Sequence, residues 1–199
     1  MTGRTALLIV DMQNSFCKPD GVMSSLIGMV DGIESVIAAQ KAFVAEARSH
    51  GVPVVHVRQV FQPNHADAGA AFTRRQPKAA GLGALVRGTR DADIIDELDL
   101  RPEDTVIDKT RFDGFLATPL PQTLRNMGVE RLLIGGVLTD ICVESTVRSA
   151  FQHDFTNVLL TDCCGSATEA RHRLGLASMR EGRFAELRTS AEAQEHLTG

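Results

Sequence analysis

Residues 131–152 read RLLIGGVLTDICVESTVRSAFQ, and three kinds of local structure follow one another within them. Arg131–Gly135 is a short aliphatic run, the pattern of a strand buried on both faces. GVLTD at 136–140 supplies the glycine and aspartate of a turn. From about Ile141 to Gln152 the residues suit a helix. A buried strand that turns into a helix is the repeating unit of a parallel sheet covered on both faces, so an α/β chain is expected.

The unit recurs in both directions along the chain. Thr5–Val10 (TALLIV) is a fully apolar first strand. Its apolar run is too short for a secretory signal and no small-residue cleavage site follows it. Ile33–Ser49 carries apolar residues at 33, 36, 37, 43, 44 and 47, a helical period, with Gly51 as the stop and Pro53 beyond it. Val54–Val60, Asp104–Asp108, Asn157–Thr161 and Ala185–Arg188 read as the second, third, fifth and sixth strands. Thr118 caps a helix with Pro119 in its first position and Gly128 after its end. Residues 168–181 also read as helix, and Thr189 with Glu192 makes the capping box of a last short one. The stretch 61–90 is rich in Gly, Pro and Gln and has no clear period; a loop of that length usually serves a site, as a lid does. No repeat or linker interrupts the chain, and one domain is expected over residues 1–199.

Composition narrows the function classes. Hydrophobic residues make up 43% of the chain, enough for a sizeable core, and the formal charge is −4. With no basic stripe, nucleic acid is not an expected partner. No apolar run approaches the roughly 18 residues of a membrane span. The four cysteines, at 17, 142, 163 and 164, form neither a zinc pattern nor a disulfide framework, which points to a reduced, cytoplasmic protein. Trp and Tyr are absent, so any aromatic wall of a pocket must come from Phe.

In an open parallel sheet, ligands bind beyond the carboxyl ends of the strands. Asp11 directly follows the first strand, Lys109 the third, and Cys142 opens the helix after the fourth. On spacing alone each has an ordinary reading: a turn aspartate, a solvated lysine, a small buried thiol. Together they suit covalent catalysis. A helix N-terminus and a nearby ammonium are expected to lower the Cys142 thiol pKa and make it a nucleophile. Asp11 is suited to carry protons, Lys109 to hold Asp11 and the thiolate, and the GVLTDIC turn to aim N–H groups at an oxyanion.

VDMQNSF at 10–16, DKTRFDGF at 108–115 and GGVLTDICVESTVRSAF at 135–151 resemble, in order and spacing, the isochorismatase-like cysteine hydrolases. The resemblance implies a three-layer α/β/α sandwich with a six-stranded parallel sheet. It implies a catalytic triad of Asp11, Lys109 and Cys142. It also implies a cis peptide at Val137–Leu138 and an oxyanion hole made by the N–H groups of Leu138 and Cys142. Asn14 falls in the family's D-x-x-N pattern and is expected to brace the loop. Isochorismatases proper lack the nucleophilic cysteine and cleave a vinyl ether, so Cys142 speaks against that reaction. Nicotinamidases hold a metal just after the second strand; here Val60 and Gln62 fall at the ligand positions, and His65 is expected to be a solvated loop residue. The K-x-R-F-x-G-F and C-V-E-S-T stretches look nearest to hydrolases of ureides and N-carbamoyl compounds.

The expectation is therefore a metal- and cofactor-independent amidohydrolase of a small amide, ureide or N-carbamoyl compound, acting as a homo-oligomer, a dimer or tetramer. The alternatives are another small substrate, such as nicotinamide or a vinyl ether, or a thiol-redox role for Cys142 with Cys163 or Cys164. Substrate contacts are expected from Phe16, Gln76, Phe115, Val137 and Thr139, with Arg74 also within reach on the long loop. Arg111 suits either a substrate carboxylate or an acidic residue across a subunit interface.

Overall fold

The computed structural model describes residues 4–198. Six parallel strands form one sheet in the order β3-β2-β1-β4-β5-β6. They are β1 (Arg4–Val10), β2 (Val54–Gln59), β3 (Thr105–Lys109), β4 (Val129–Val137), β5 (Thr156–Gly165) and β6 (Glu186–Arg188). The chain builds outward from β1 through β2 to β3, then returns to lay β4 on the other side of β1. The strand order reverses between β1 and β4, and that is where an open sheet opens a crevice.

β1 shows why the centre of the sheet is apolar throughout. Leu7 and Ile9 point into one core cluster; Ala6, Leu8 and Val10 point into the other. Helices α1 (Asn14–Cys17), α2 (Val22–Ile27), α3 (Ile33–Ser49) and α4 (Gly69–Arg75) contribute to the first cluster. Helices α5 (Leu120–Asn126), α6 (Glu144–Gln152) and α7 (Glu169–Glu181) contribute to the second. The three-layer α/β/α sandwich follows from burying both faces of one sheet.

Several boundaries differ from the sequence reading. β2 stops at Gln59, and β3 includes Lys109 itself. β5 runs on to Gly165, so Cys163 and Cys164 lie within a strand rather than after one. The short helices α1 and α2 were not expected. The stretch 61–90 is not a structureless loop: it contains α4, and Phe61, Phe72, Ala79, Ala84 and Leu85 tie it to the core. A segment whose apolar anchors are irregularly spaced shows no period, yet each anchor removes area from water. The Thr189–Glu192 capping box is present, with Thr189 N–H donating to Glu192 Oε2 at 2.8 Å and Glu192 N–H to Thr189 Oγ1 at 3.3 Å. Among the described residues no helix is long and apolar enough to cross a membrane.

One close approach fixes the crevice. Gly136 has φ of +135°, and a Cβ there would lie 2.1 Å from the Val10 carbonyl oxygen. Only glycine lets the ends of β4 and β1 come this near.

Candidate active site

β1 ends in an aspartate with left-handed backbone. Asp11 has φ of +53°, a conformation that Asp adopts more readily than most residues. Its N–H donates to the Val57 carbonyl at 2.8 Å, which pins the bend to β2. The side chain of Gln13 stitches the same edge, donating from Nε2 to the carbonyls of Gln59 (2.9 Å) and Ala92 (2.7 Å) and accepting the Gln59 N–H at Oε1. Asn14 Nδ2 donates to the Arg90 carbonyl at 2.8 Å, the bracing role expected of it.

Lys109 ends β3, two strands away from β1, and its long side chain reaches across. Its Nζ lies 2.8 Å from Asp11 Oδ2 and 2.9 Å from the Arg111 carbonyl. Both side chains of the pair are wholly buried. Cys142 lies in a π turn, Thr139–Val143, that leads from β4 into α6. Its thiol faces the pair closely enough that each group alters the others' titration. No hydrogen bond of good geometry joins thiol to carboxylate, and Asp11 Oδ1 is left without a partner. The structure thus brings the three residues singled out from the sequence into one cluster.

The electrostatics differ from the sequence expectation. Burial pushes the Cys142 thiol far above its ordinary value, and the Asp11 carboxylate beside it adds to the rise; Lys109 only partly offsets this. Burial favours the neutral thiol, because desolvation of a thiolate outweighs one ammonium already committed to a carboxylate. Asp11 is also raised, by burial first, with Lys109 pulling it back. Burial opposes the charge on Lys109, but Asp11 more than compensates and holds the ammonium above its ordinary pKa. A carboxylate with a raised pKa is a stronger base, so the thiol faces a group able to take its proton.

The nucleophile turn is held from behind by α7. Asp140 accepts from Ser166 Oγ and from Arg171 Nε at 2.7 Å. Thr139 Oγ1 lies 2.8 Å from His172 Nδ1, and burial holds that imidazole below its ordinary pKa. The Val137–Leu138 peptide is cis.

A cleft opens over Cys142. Phe16, Phe72, Phe112 and Ile141 give it apolar walls, and Gln59, Gln76, Arg75 and Arg171 supply polar groups. Phe16 and Gln76 were expected there; five other residues were not correctly placed by the sequence. Phe115 stacks against His153 at 5.1 Å and packs by Phe155 in the second core, so Phe112 is the wall residue instead. Val137 is fully buried core, and Thr139 is committed to His172. Arg111 lies outside this lining: its Nη1 donates to the carbonyls of Asp67, Ala68 and Thr110, and it lines an adjoining cavity that shares Gln59, Phe72 and Phe112 with the cleft. Arg75, not Arg74, reaches the cleft. The missed pair had a faint signal: Arg75 lies three residues after Phe72 on α4, the spacing that puts two side chains on one helix face.

His65 is not solvated. It is buried, its Nε2 lies 2.8 Å from the Ala84 carbonyl, and its ring packs on Phe61. Its Nδ1 has no partner, but Val60 and Gln62 stand where a nicotinamidase-like site would need its other ligands. Among the described residues no group of three or more His, Cys, Asp or Glu side chains is placed to hold a metal. Cys163 and Cys164 are buried free thiols that line other cavities, and neither is bonded to Cys142.

Comparison with known proteins adds to this geometry. The Isochorismatase domain family model matches residues 5–192. The ureidoacrylate amidohydrolase RutB of Methylobacterium radiotolerans is 35% identical over 187 residues, covering 88% of this chain and 72% of that protein. An isochorismatase family protein from Desulfovibrio vulgaris superposes with a TM-score of 0.87 at 28% identity, over 99% of this chain and 100% of that one. A cysteine hydrolase from Pseudomonas syringae pv. phaseolicola shares the fold, with a TM-score of 0.88 at 24% identity over 98% of this chain and 92% of that one.

Proposed function

The chain belongs to the isochorismatase family, and from that premise we propose that it is a cysteine amidohydrolase acting on a non-peptide C–N bond of a small ureide, N-carbamoyl compound or amide. The observation that carries the reading is the Cys142 thiol facing a wholly buried Asp11–Lys109 pair beneath an open cleft. The amidohydrolase relatives, such as the RutB protein above, support the reaction class.

The residues divide the work as follows. Cys142 Sγ attacks the carbonyl carbon while Asp11 takes the thiol proton. The oxygen, now negative, is held by the N–H groups of Leu138 and Cys142. The intermediate collapses, the C–N bond breaks, and Asp11 returns the proton to the departing ammonia or amine. A thioester to Cys142 remains, a thiocarbamate when the substrate is a ureide. Asp11 then deprotonates water, which attacks the acyl carbon and frees Cys142. Lys109 keeps its charge throughout and fixes Asp11 Oδ2, leaving Oδ1 to handle protons. No step requires a metal or cofactor.

Ammonia release from a panel of ureides, N-carbamoyl amino acids and simple amides tests the reading. Wild-type turnover that disappears in Cys142→Ser supports it; turnover that persists in that variant removes Cys142 as nucleophile. A dimer or tetramer working in the cytoplasm completes the proposal, and light scattering decides the oligomeric part.

A further inference from the structure

Resting on that reading, the charges around the cleft identify what else the substrate carries. Asp11 and Lys109 form a buried ion pair and cancel. Arg171, on the cleft wall, is bound by Asp140 at 2.6 Å and cancels with it. Arg75 is different. It ends α4, is exposed, lines the cleft, and among the described residues has neither a salt bridge nor a hydrogen bond. Its guanidinium carbon stands 5.7 Å from the centre of the Phe112 ring, a cation–π contact that orients the group without neutralising it. The cleft therefore carries one uncompensated positive charge.

A second observation comes from the opposite kind of site, a sealed one. Gln59 lines the same cleft, is 1% exposed, and its Nε2 has no acceptor. A buried donor without a partner is costly unless something completes it. Two donors in one cleft, one charged and one sealed, call for a ligand rich in acceptors.

We propose that Arg75 is a specificity-determining residue that binds a carboxylate on the substrate, and that the preferred substrates are singly negative N-carbamoyl or ureido acids rather than neutral amides. Arginine's planar fork matches a carboxylate with two parallel hydrogen bonds. Phe112 lies three residues after Lys109, so the ring that orients Arg75 belongs to the same turn that leaves the reacting centre.

The test compares N-carbamoylglycine with its neutral N,N-dimethylamide, read as kcat/KM for ammonia release. Wild type should prefer the acid. Arg75→Gln should lower the acid-to-neutral ratio by roughly 10- to 100-fold, chiefly through KM, and Arg75→Lys should regain part of it. A ratio that does not move, or equal losses on both compounds, overturns the proposal and leaves Arg75 a packing partner of Phe112. Calorimetric binding of N-carbamoylglycine to Cys142→Ser protein, with and without Arg75→Gln, separates the two claims. Arg75-dependent binding alongside absent turnover would sink the amidohydrolase reading and keep the carboxylate site. Turnover alongside binding indifferent to Arg75 would do the reverse.

Discussion

Two acidic side chains at opposite ends of the sheet differ in one respect that separates chemistry from architecture. Asp11, beyond the carboxyl end of β1, has a single cationic partner and one oxygen without any. Asp104, just before β3, has its Oδ2 2.5 Å from Arg48 Nη2, 3.0 Å from the Arg101 N–H and 3.7 Å from His56 Nε2. Burial works against the charge on both. At Asp104 the His56, Arg101 and Arg48 contacts overcome it and hold the carboxyl at about 2; at Asp11 burial prevails and the pKa is raised. A carboxylate whose partners outweigh its burial has no reason to exchange a proton. One whose burial outweighs its single partner does, and that is what a general base requires.

The largest expected contrast is in activity. Cys142→Ala and Asp11→Asn should each lower kcat/KM by a factor on the order of 10³ or more, whereas Asp104→Asn should stay within about threefold of wild type. Comparable losses in Asp104→Asn and Asp11→Asn, with both proteins folded by circular dichroism, would erase the distinction. Next, Lys109→Ala should cost roughly 10²- to 10³-fold, because it removes the charge that fixes Asp11. Lys109→Arg should rescue poorly, since a larger planar group replaces a compact ammonium in a sealed space.

The pH profile sharpens the same comparison. Asp11 must be ionised to accept the thiol proton, and its pKa is raised. The acid limb of kcat/KM should therefore lie above the ordinary carboxylate value of about 4, with activity lost as pH falls through it. Alkylation of Cys142 by iodoacetamide should be slow at neutral pH, because the thiol is raised, and slower still in Asp11→Asn. Rapid alkylation that ignores Asp11 would mean a preformed thiolate.

The smallest effect is on stability. The folded pKa of Asp104 is depressed, so its contribution is fully present above about pH 4 and is lost as pH falls toward 2. Asp104→Asn should lower urea-unfolding stability at neutral pH by roughly 1–2 kcal/mol, limited by screening where Arg48 nears solvent, and should flatten the acid dependence. An unchanged acid transition would show that the pair is not what holds that end.

How far the sequence went depended on how local each signal was. β1, α3 and the β4-to-α6 unit were legible because burial on both faces, or on one helical stripe, imposes a period within a few residues. Asp11, Lys109 and Cys142 were legible because each sits at a strand end or a helix start. The wall of the cleft was not. Phe112 and Phe115 are three residues apart in one turn, and nothing in their spacing says which faces the cleft and which stacks on His153. Arg74, Arg75 and Arg111 are equally basic on paper, but only the folded chain fills Arg111 with backbone carbonyls.

By itself, the sequence determined that this is an α/β chain, since strand ends are written in apolar runs and turns, and its resemblance to the isochorismatase-like hydrolases singled out Asp11, Lys109 and Cys142. Only the tertiary structure decided which way burial pushes Cys142 and Asp11, and the exposure of Arg75 to the cleft. Those properties depend on which groups exclude water and which partners are already taken. They are sums over neighbours from distant parts of the chain, and no window of residues contains them.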